Sequence, residues 1–178
     1  MKKIYPLLIC LLLTGYSFAQ VKPLTVTKSS VVFHIKNLGL TVSGIIAGFK
    51  GDVKFDAANL PGSTISATVD VNTLDTDNGT RNDHLKSDSY FDVAKYPTIS
   101  MKSTAIKHKS GSNYSGAFSL TIKDVTKTIE IPFSYTETGN TGVFKGNFQI
   151  ERTDYGVGGK SLVMSDDVKV DLEVTVSK

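Results

Sequence analysis

The side chains best suited to chemistry are an arginine, an aspartate and a histidine that lie close together in a polar stretch. Arg81 and His84, with Asp83 between them, could hold the polar end of a ligand through charge-assisted hydrogen bonds. The same residues could instead be structural, with Arg81 paired to Asp83, Asp88 or Asp92 and His84 bonded to the backbone. The polar cluster of Arg81, Asp83 and His84 would lie at the mouth of a ligand site in the first interpretation and would lock a helix in the second. We favour the second, structural interpretation.

Other combinations that would support catalysis or metal binding are missing from the sequence. The three histidines, His34, His84 and His108, stand apart without metal-ligand spacing. Residues 75–79 begin like a calcium loop, but the glycine comes one position early and Lys86 occupies the place of the closing glutamate. Neither a nucleophile elbow nor a phosphate-binding glycine loop occurs. We therefore predict no catalytic residues, no metal and no cofactor.

Residues 1–19 have the pattern of a cleavable signal peptide. Lys2 and Lys3 precede an apolar run over residues 4–13, which is too short to span a bilayer. Residues 17–19 place small side chains at the two positions that signal peptidase reads. The pattern predicts that cleavage leaves residues 20–178 as a periplasmic or secreted chain. That chain would lack cysteine, because the only cysteine of the sequence is Cys10.

Composition excludes several classes of partner. The sequence has 20 basic and 17 acidic residues, and removal of the signal takes two lysines with it. The resulting charge near zero is no electrostatic footprint for nucleic acid, and no block of like charge marks a membrane surface. We expect neither nucleic-acid binding nor stable membrane insertion. The sequence is compatible with a homodimer. The remaining roughly 160 residues suit one domain.

Alternation of apolar and polar side chains predicts an all-β fold. In the last segment Val168, Val170, Leu172, Val174 and Val176 share one face, and charged or polar residues share the other. Eight such segments are typical of antiparallel strands with one dry face: 29–36, 49–56, 63–71, 98–106, 114–122, 128–135, 143–150 and 168–176. Eight strands can close into a barrel that is either filled with side chains or holds one small ligand.

One long segment, residues 72–97, separates the third and fourth predicted strands. A short helix is predicted over residues 81–87, because residues 78–80 supply capping types and Pro97 closes the segment. Glycines also recur on the inward register, at Gly51, Gly116 and Gly146. Such glycines mark either sharp bends or room for a guest.

The long segment resembles the YceI-like polyisoprenoid-binding family. Its matching stretches there are residues 73–76 (Thr-Leu-Asp-Thr), 81–85 (Arg-Asn-Asp-His-Leu), 89–92 (Ser-Tyr-Phe-Asp) and 96–97 (Tyr-Pro). Outside it the resemblance continues, in the family's order, through residues 33–40, 48–51, 120–127 and 152–158. The family commonly has histidine in place of Asn37, glycine in place of Asp124 and aspartate in place of Asn82.

The resemblance implies an extended, eight-stranded antiparallel lipocalin-like barrel with a short helix in the long loop after the third strand. It also implies an apolar tunnel that holds a polyisoprenoid, an isoprenoid quinone tail or another long-chain lipid, for transport or storage. The inward side chains expected to line such a tunnel are Phe33, Ile35, Phe49, Ile65, Val69, Ile99, Met101, Phe118, Leu120, Ile131, Phe133, Phe148, Val170 and Leu172. A phenylalanine at Gly146 is expected to block it. The alternative is a non-catalytic barrel with a packed core that acts as a protein-interaction module.

Overall fold

The structure, a computed structural model, describes residues 20–178, so the predicted signal peptide lies outside the described residues. These residues form nine β-strands and one α-helix, and none of their helices is long and apolar enough to cross a membrane. The elements are β1 Pro23–Asn37, β2 Leu40–Ile45, β3 Lys50–Lys54, β4 Thr64–Asp70, α1 Gly79–Lys86, β5 Thr98–Ser110, β6 Asn113–Ile122, β7 Val125–Thr138, β8 Thr141–Glu151 and β9 Met164–Ser177.

The strands form one antiparallel sheet that closes on itself. From β3 to β9 each strand pairs with the next, and β1 completes the ring by pairing with β9 on one edge and with β3 on the other. Closure leaves the inward side chains of eight strands around a common interior. The predicted all-β, lipocalin-like barrel of eight antiparallel strands is confirmed.

The ninth strand, β2, is an addition that the periodicity did not predict. It pairs with the second half of β1 through a two-residue turn, Leu38-Gly39, in which both residues have positive φ (52° and 80°). Such turns match the twist of a hairpin, but leucine is a rare choice there. Gly44 interrupts the apolar alternation of β2 because the Phe33 ring of β1 lies against the place of its missing side chain.

The helix α1 lies in the long segment, as predicted, and begins two residues earlier than expected. Asn78 is its N-cap, with its Oδ1 accepting a hydrogen bond from the Arg81 backbone N–H at 2.9 Å. Because β2 comes first, this segment follows the fourth strand rather than the third. No residue of the helix is fully buried, so it covers the barrel without entering it.

The interior divides into two regions. The packed end is a cluster of buried side chains around the start of β1 and the end of β9: Leu24, Val53, Phe55, Tyr114, Phe133, Tyr135, Phe144, Val174 and Val176. The opposite, hollow end lies beneath the turn at residues 38–39, the connection 71–97 with α1, the turn 123–124 and the loop 152–163. The two ends share the same long strands.

Candidate functional site

A cavity of about 250 Å³ lies inside the hollow end. Its walls are inward side chains of β1, β4, β5, β6, β8 and β9, nearly all of them aliphatic or aromatic. Ten of the fourteen side chains predicted to line a tunnel are among them: Phe33, Ile35, Phe49, Val69, Ile99, Met101, Leu120, Phe148, Val170 and Leu172. That these residues contact a lipid stays a prediction.

The other four predicted side chains lie away from the cavity. Phe118 and Ile131 are each only 3% exposed within the barrel wall, Phe133 belongs to the packed end, and Ile65 packs against that cluster. All four are inward, as the alternation requires, but they meet other side chains rather than open space. Period-two alternation identifies a face and cannot say where along the barrel the interior is empty.

The inward glycines do not leave room for a guest. The Phe118 ring occupies the space beside Gly116, and a Cβ on Gly51 would lie 2.9 Å from Cε1 of Phe49. Gly146 does not line the cavity, and a Cβ there would lie 3.3 Å from the Pro132 carbonyl oxygen. A phenylalanine at Gly146 would therefore press on the barrel wall before it reached the cavity, and its effect on a bound chain stays a prediction.

The long connection covers the cavity with residues that the alternation did not identify. Leu85 of α1 and the following Tyr90 and Phe91 line the cavity beside Arg81 and His84. The Phe91 N–H donates to the Leu85 carbonyl at 3.0 Å, and the His84 ring meets Tyr90 edge-on with 4.9 Å between centroids. Their signal lies in the Tyr-Phe pair within a polar segment, which periodicity alone does not register.

Arg81 is held by a threonine and not by a carboxylate. Its Nε donates to Oγ1 of Thr76 at 2.8 Å and its Nη2 donates to the Thr76 carbonyl at 2.6 Å, while Thr76 is buried. No ion pair of Arg81 is present in the described part of the chain, so the expected pairing with an acidic residue is replaced by this one. Asp83 is exposed and does not line the cavity. Of the predicted polar cluster, Arg81 and His84 reach the cavity wall.

Asn82 extends this network in a way that explains one departure from the family pattern. Its Oδ1 accepts hydrogen bonds from the Thr76 N–H at 2.9 Å and the Thr76 hydroxyl at 2.6 Å, and its Nδ2 donates to Asp75 at 2.8 Å. That last bond is the main reason that the pKa of Asp75 lies below its usual value. An aspartate at position 82 would lack the N–H that Asp75 accepts.

A buried arginine fastens the second cover of the cavity, the loop 152–163. Arg152 is 4% exposed and lines the cavity. Its Nη2 donates to Asp166 at 2.7 Å, its Nε to the Ser165 carbonyl at 2.9 Å, and its Nη1 to the carbonyls of Val157 and Gly159 at 3.0 and 2.9 Å. These four bonds make the loop an anchored cover.

The two covers touch each other. Gly158, at φ 67°, lies under the Tyr90 ring, where a Cβ would come within 2.7 Å of Cε1. Nearby, the Lys123 ammonium donates to the Gly156 carbonyl at 3.0 Å. Opening the cavity at this point therefore requires the two connections to separate.

The outer face carries a serine, a histidine and an aspartate in hydrogen-bond contact. His34 Nδ1 lies 2.7 Å from the Ser43 hydroxyl, and its Nε2 lies 3.1 Å from Asp171. A catalytic triad holds Nδ1 with a buried carboxylate, whereas here the Asp171 side chain is 60% exposed and contacts Nε2. The contact ties β1, β2 and β9 together on the face away from the cavity. Residues 20–178 contain no grouping of three His, Cys, Asp or Glu that could hold a metal ion.

Comparisons with known proteins agree on one family. The chain matches the model of the YceI-like domain over residues 23–176. A UPF0312 protein of Vibrio parahaemolyticus is 28% identical over 155 residues, which cover 83% of this chain and 80% of that protein. The crystal structure of Burkholderia cenocepacia BcnA is similar with a TM-score of 0.80 and 27% identity, covering 83% of this chain and 95% of that one.

A second solved structure supports the fold alone. It is a polyisoprenoid binding domain from Saccharophagus degradans that is implicated in plant cell wall breakdown. Its TM-score is 0.70 at 15% identity, over 89% of this chain and 99% of that one. At this identity the similarity shows a common fold and nothing further.

Proposed function

We propose, because this chain belongs to the YceI-like domain family, that it binds the long apolar chain of a polyisoprenoid or an isoprenoid quinone in the hollow end of its barrel. The observation that carries the proposal is the cavity of about 250 Å³ with walls of aliphatic and aromatic side chains. Burial of an apolar chain in such a cavity is favourable by roughly 25 cal/mol per Å² of surface removed from water. A polyisoprenoid binding domain of the same fold is a precedent for this ligand class.

The volume of the cavity favours a slender ligand. Its volume is slightly below the range of about 300–1,000 Å³ that is usual for sites of drug-sized molecules. A methyl-branched hydrocarbon chain is narrow and flexible, whereas a fused ring system is neither. Met101 and Met164 line the cavity and can follow such a chain because their thioether side chains adapt their shape.

The proposed role is that of an exported, non-catalytic carrier or store. The signal-peptide pattern of residues 1–19 supports export to the periplasm or beyond. The family to which the chain belongs is a binding-type barrel family. In this proposal Arg81 and His84, which line the covered end of the cavity, meet the polar end of the ligand.

Mass spectrometry of an organic extract tests this function directly. The protein is purified without detergent from the periplasmic fraction and extracted. A stoichiometric isoprenoid is the expected result, and a different long-chain lipid would change the ligand class. An empty extract, together with no uptake of added polyprenyl lipid, would overturn the proposal in favour of a protein-interaction module.

Two neighbouring valines of β1 give a matched pair of variants. Val31 lines the cavity, whereas Val32, the next residue, borders a groove on the outer face. Val31→Phe is expected to lower the lipid content severalfold, because the added ring occupies cavity space. Val32→Phe adds the same ring outside and is expected to retain the lipid. Thermal unfolding of both variants confirms that they are folded, and equal lipid content in the two would contradict a ligand in this cavity.

A further inference from the structure

The large hydrophobic side chains that are exposed in residues 20–178 are all found in two segments of the chain. Leu38 and Leu40 are each 72% exposed, Val163 is 52% exposed, and Leu162 is fully exposed. These four form what we call the apolar rim; the remaining one, Ile45, lies further along β2. Exposed aliphatic side chains are ordinarily scattered singly over a surface, and a concentration of them marks an interaction site.

The apolar rim is a continuous structure beside the cavity. The Leu38 N–H donates to the Val163 carbonyl at 2.8 Å, which joins the β1–β2 turn to the end of the loop 152–163. One residue inward on each side, Asn37 pairs with Met164, and both of these line the cavity. The exposed surface and the cavity wall are therefore adjacent along both strands.

Leu38 also has an unfavourable backbone conformation. It has φ 52°, a left-handed conformation that favours glycine and asparagine and costs an ordinary L-residue. A leucine that is both strained and exposed contributes little to folding. Strain that persists at a surface turn points to a function for the side chain.

The charges on the rim select one kind of surface. Lys36 and Lys160 are exposed in the two rim segments, residues 35–45 and 156–165, which contain no aspartate or glutamate; Asp166 and Asp167 follow the second segment, and Asp166 pairs with Arg152. The connection 71–97 at the same end carries five aspartates in contrast, at positions 75, 77, 83, 88 and 92. Aliphatic side chains whose own segments carry lysines and no acids complement an anionic lipid surface.

We propose that the apolar rim docks this protein reversibly on an anionic bilayer, so that a lipid chain passes between bilayer and cavity without crossing water. The transfer rests on the proposed function, whereas the docking does not. A few shallow leucines and two lysines give weak attachment. Reversibility is what a carrier needs, since it must leave the membrane with its load.

Vesicle flotation tests the docking. The purified protein is mixed with vesicles of phosphatidylethanolamine and phosphatidylglycerol, and in parallel with vesicles of phosphatidylcholine alone. The wild type is expected to float with the anionic vesicles. The double variant Leu38→Asn/Leu162→Ser is expected to lose at least about tenfold in binding, the loss expected when two leucines no longer insert. Asparagine suits the conformation at position 38, so this variant is expected to fold.

A charge pair supplies the matched control. Lys36→Gln/Lys160→Gln removes two positive charges at the rim, and Lys22→Gln/Lys109→Gln removes two exposed ones at the packed end. The first pair is expected to weaken binding to anionic vesicles by about tenfold, the second to leave it nearly unchanged, because the attraction acts over short range. Equal effects of the two pairs would show a general charge effect and overturn the proposal.

Two further outcomes would also overturn it. The first is that the wild type does not float with the vesicles. The second is that the rim variant floats as the wild type does, while size exclusion shows a dimer for the wild type and a monomer for the variant. The latter would make the rim an interface between two copies of the chain. Lipid extraction from the same samples separates this inference from the proposed function: rim-dependent flotation with no extractable lipid rejects the ligand, and bound lipid without flotation rejects the docking.

Discussion

The packed end and the hollow end are built from the same strands and fill their interiors differently. At the packed end the Phe55 ring makes edge-on contacts with three other rings. The distance between ring centroids is 4.8 Å to Tyr135 and 5.2 Å to Tyr114 and Phe144. At the hollow end the inward side chains surround a cavity of about 250 Å³. At the packed end large rings fill the barrel axis by contacting one another, whereas at the hollow end the lining rings, Phe33, Phe49 and Phe148 among them, stand around open space.

The connections differ in the same way. The packed end is closed by tight turns around Gly111 and Gly139 and by the short segment 55–63, while the hollow end is covered by the long connections 71–97 and 152–163. Tight turns have few residues that can change conformation, whereas long connections can separate from the barrel. We infer that folding stability is concentrated at one end and ligand access at the other.

The largest effect is expected from truncation of the packed end. Phe55→Ala removes the ring at the centre of the aromatic cluster, where Phe55 is 5% exposed. The free energy of unfolding is expected to fall by about 3–5 kcal/mol, since the surrounding rings cannot collapse into the space. Denaturant unfolding measures the loss, and the lipid content of the protein that remains folded is expected to stay unchanged.

Phe148→Ala is the matching truncation at the hollow end. The ring lines the cavity and is only half-buried, so it lacks neighbours on one side. Its loss is expected to cost about 1–2 kcal/mol of unfolding free energy, but to change the lipid content. Equal stability losses for the two phenylalanines would contradict the division into a packed and a hollow end.

A second, smaller effect is expected from the anchor of the loop 152–163. Arg152→Gln breaks the pair with Asp166 and withdraws donors from the carbonyls of Val157, Gly159 and Ser165. We expect a loss of about 2–3 kcal/mol, at or below the low end for a broken buried pair, because Asp166 keeps contact with water. Unfolding free energy and the rate of lipid exchange measure the result.

Arg152→Lys and Asp166→Asn refine this test. Lysine keeps the charge but cannot reach four acceptors in a fixed fork, so it is expected to rescue stability only in part. Asp166→Asn keeps an acceptor oxygen and is expected to cost the least of the three. If Arg152→Gln leaves lipid exchange unchanged while it destabilises the fold, the loop is not a cover for the ligand.

Most of the barrel could be predicted from its sequence because alternation over long strands is a strong signal. The eight predicted segments lie within or overlap strands of the closed sheet. The missing strand β2 shows the limit of that signal. Its Gly44 makes room for the Phe33 ring of the neighbouring strand, and Leu40 and Ile45 are exposed, so tertiary contacts override the local pattern.

The candidate site was less predictable for a physical reason. Alternation marks Phe118 and Phe148 alike as inward, and only the packing of the other strands makes one buried in the wall and the other a lining residue. Arg81 offered several acidic neighbours in sequence, yet its nearest acceptors are on Thr76. Arg152 belongs to a stretch that resembles the family, but its anchoring role gave no sequence signal, because its partners are mostly backbone carbonyls, which every residue possesses.

The smallest effect, a pH dependence, compares one carboxylate from each end. The pKa of Glu137 at the packed end is lowered by hydrogen bonds from Lys178 and Tyr135, and the pKa of Asp75 at the hollow end is lowered mainly by the bond from Asn82. A carboxylate whose pKa is lower in the folded chain stabilises the fold above its unfolded pKa. That stabilisation is lost as the pH falls through the folded pKa.

Both contributions are therefore present at neutral pH and fade below about pH 4.5. Glu137→Gln is expected to flatten the acid loss of unfolding free energy, because Glu137 bonds the buried cluster through Tyr135. Asp75→Asn is expected to change the pH at which lipid is released more than it changes unfolding, because Asp75 supports the network that holds Arg81 at the cavity. Denaturant unfolding and lipid retention are measured from pH 7 into acid for each variant. Because both carboxylates are exposed, the changes in unfolding free energy and in lipid retention are expected to be small. If each variant changed both measurements together, the two ends would be one cooperative unit.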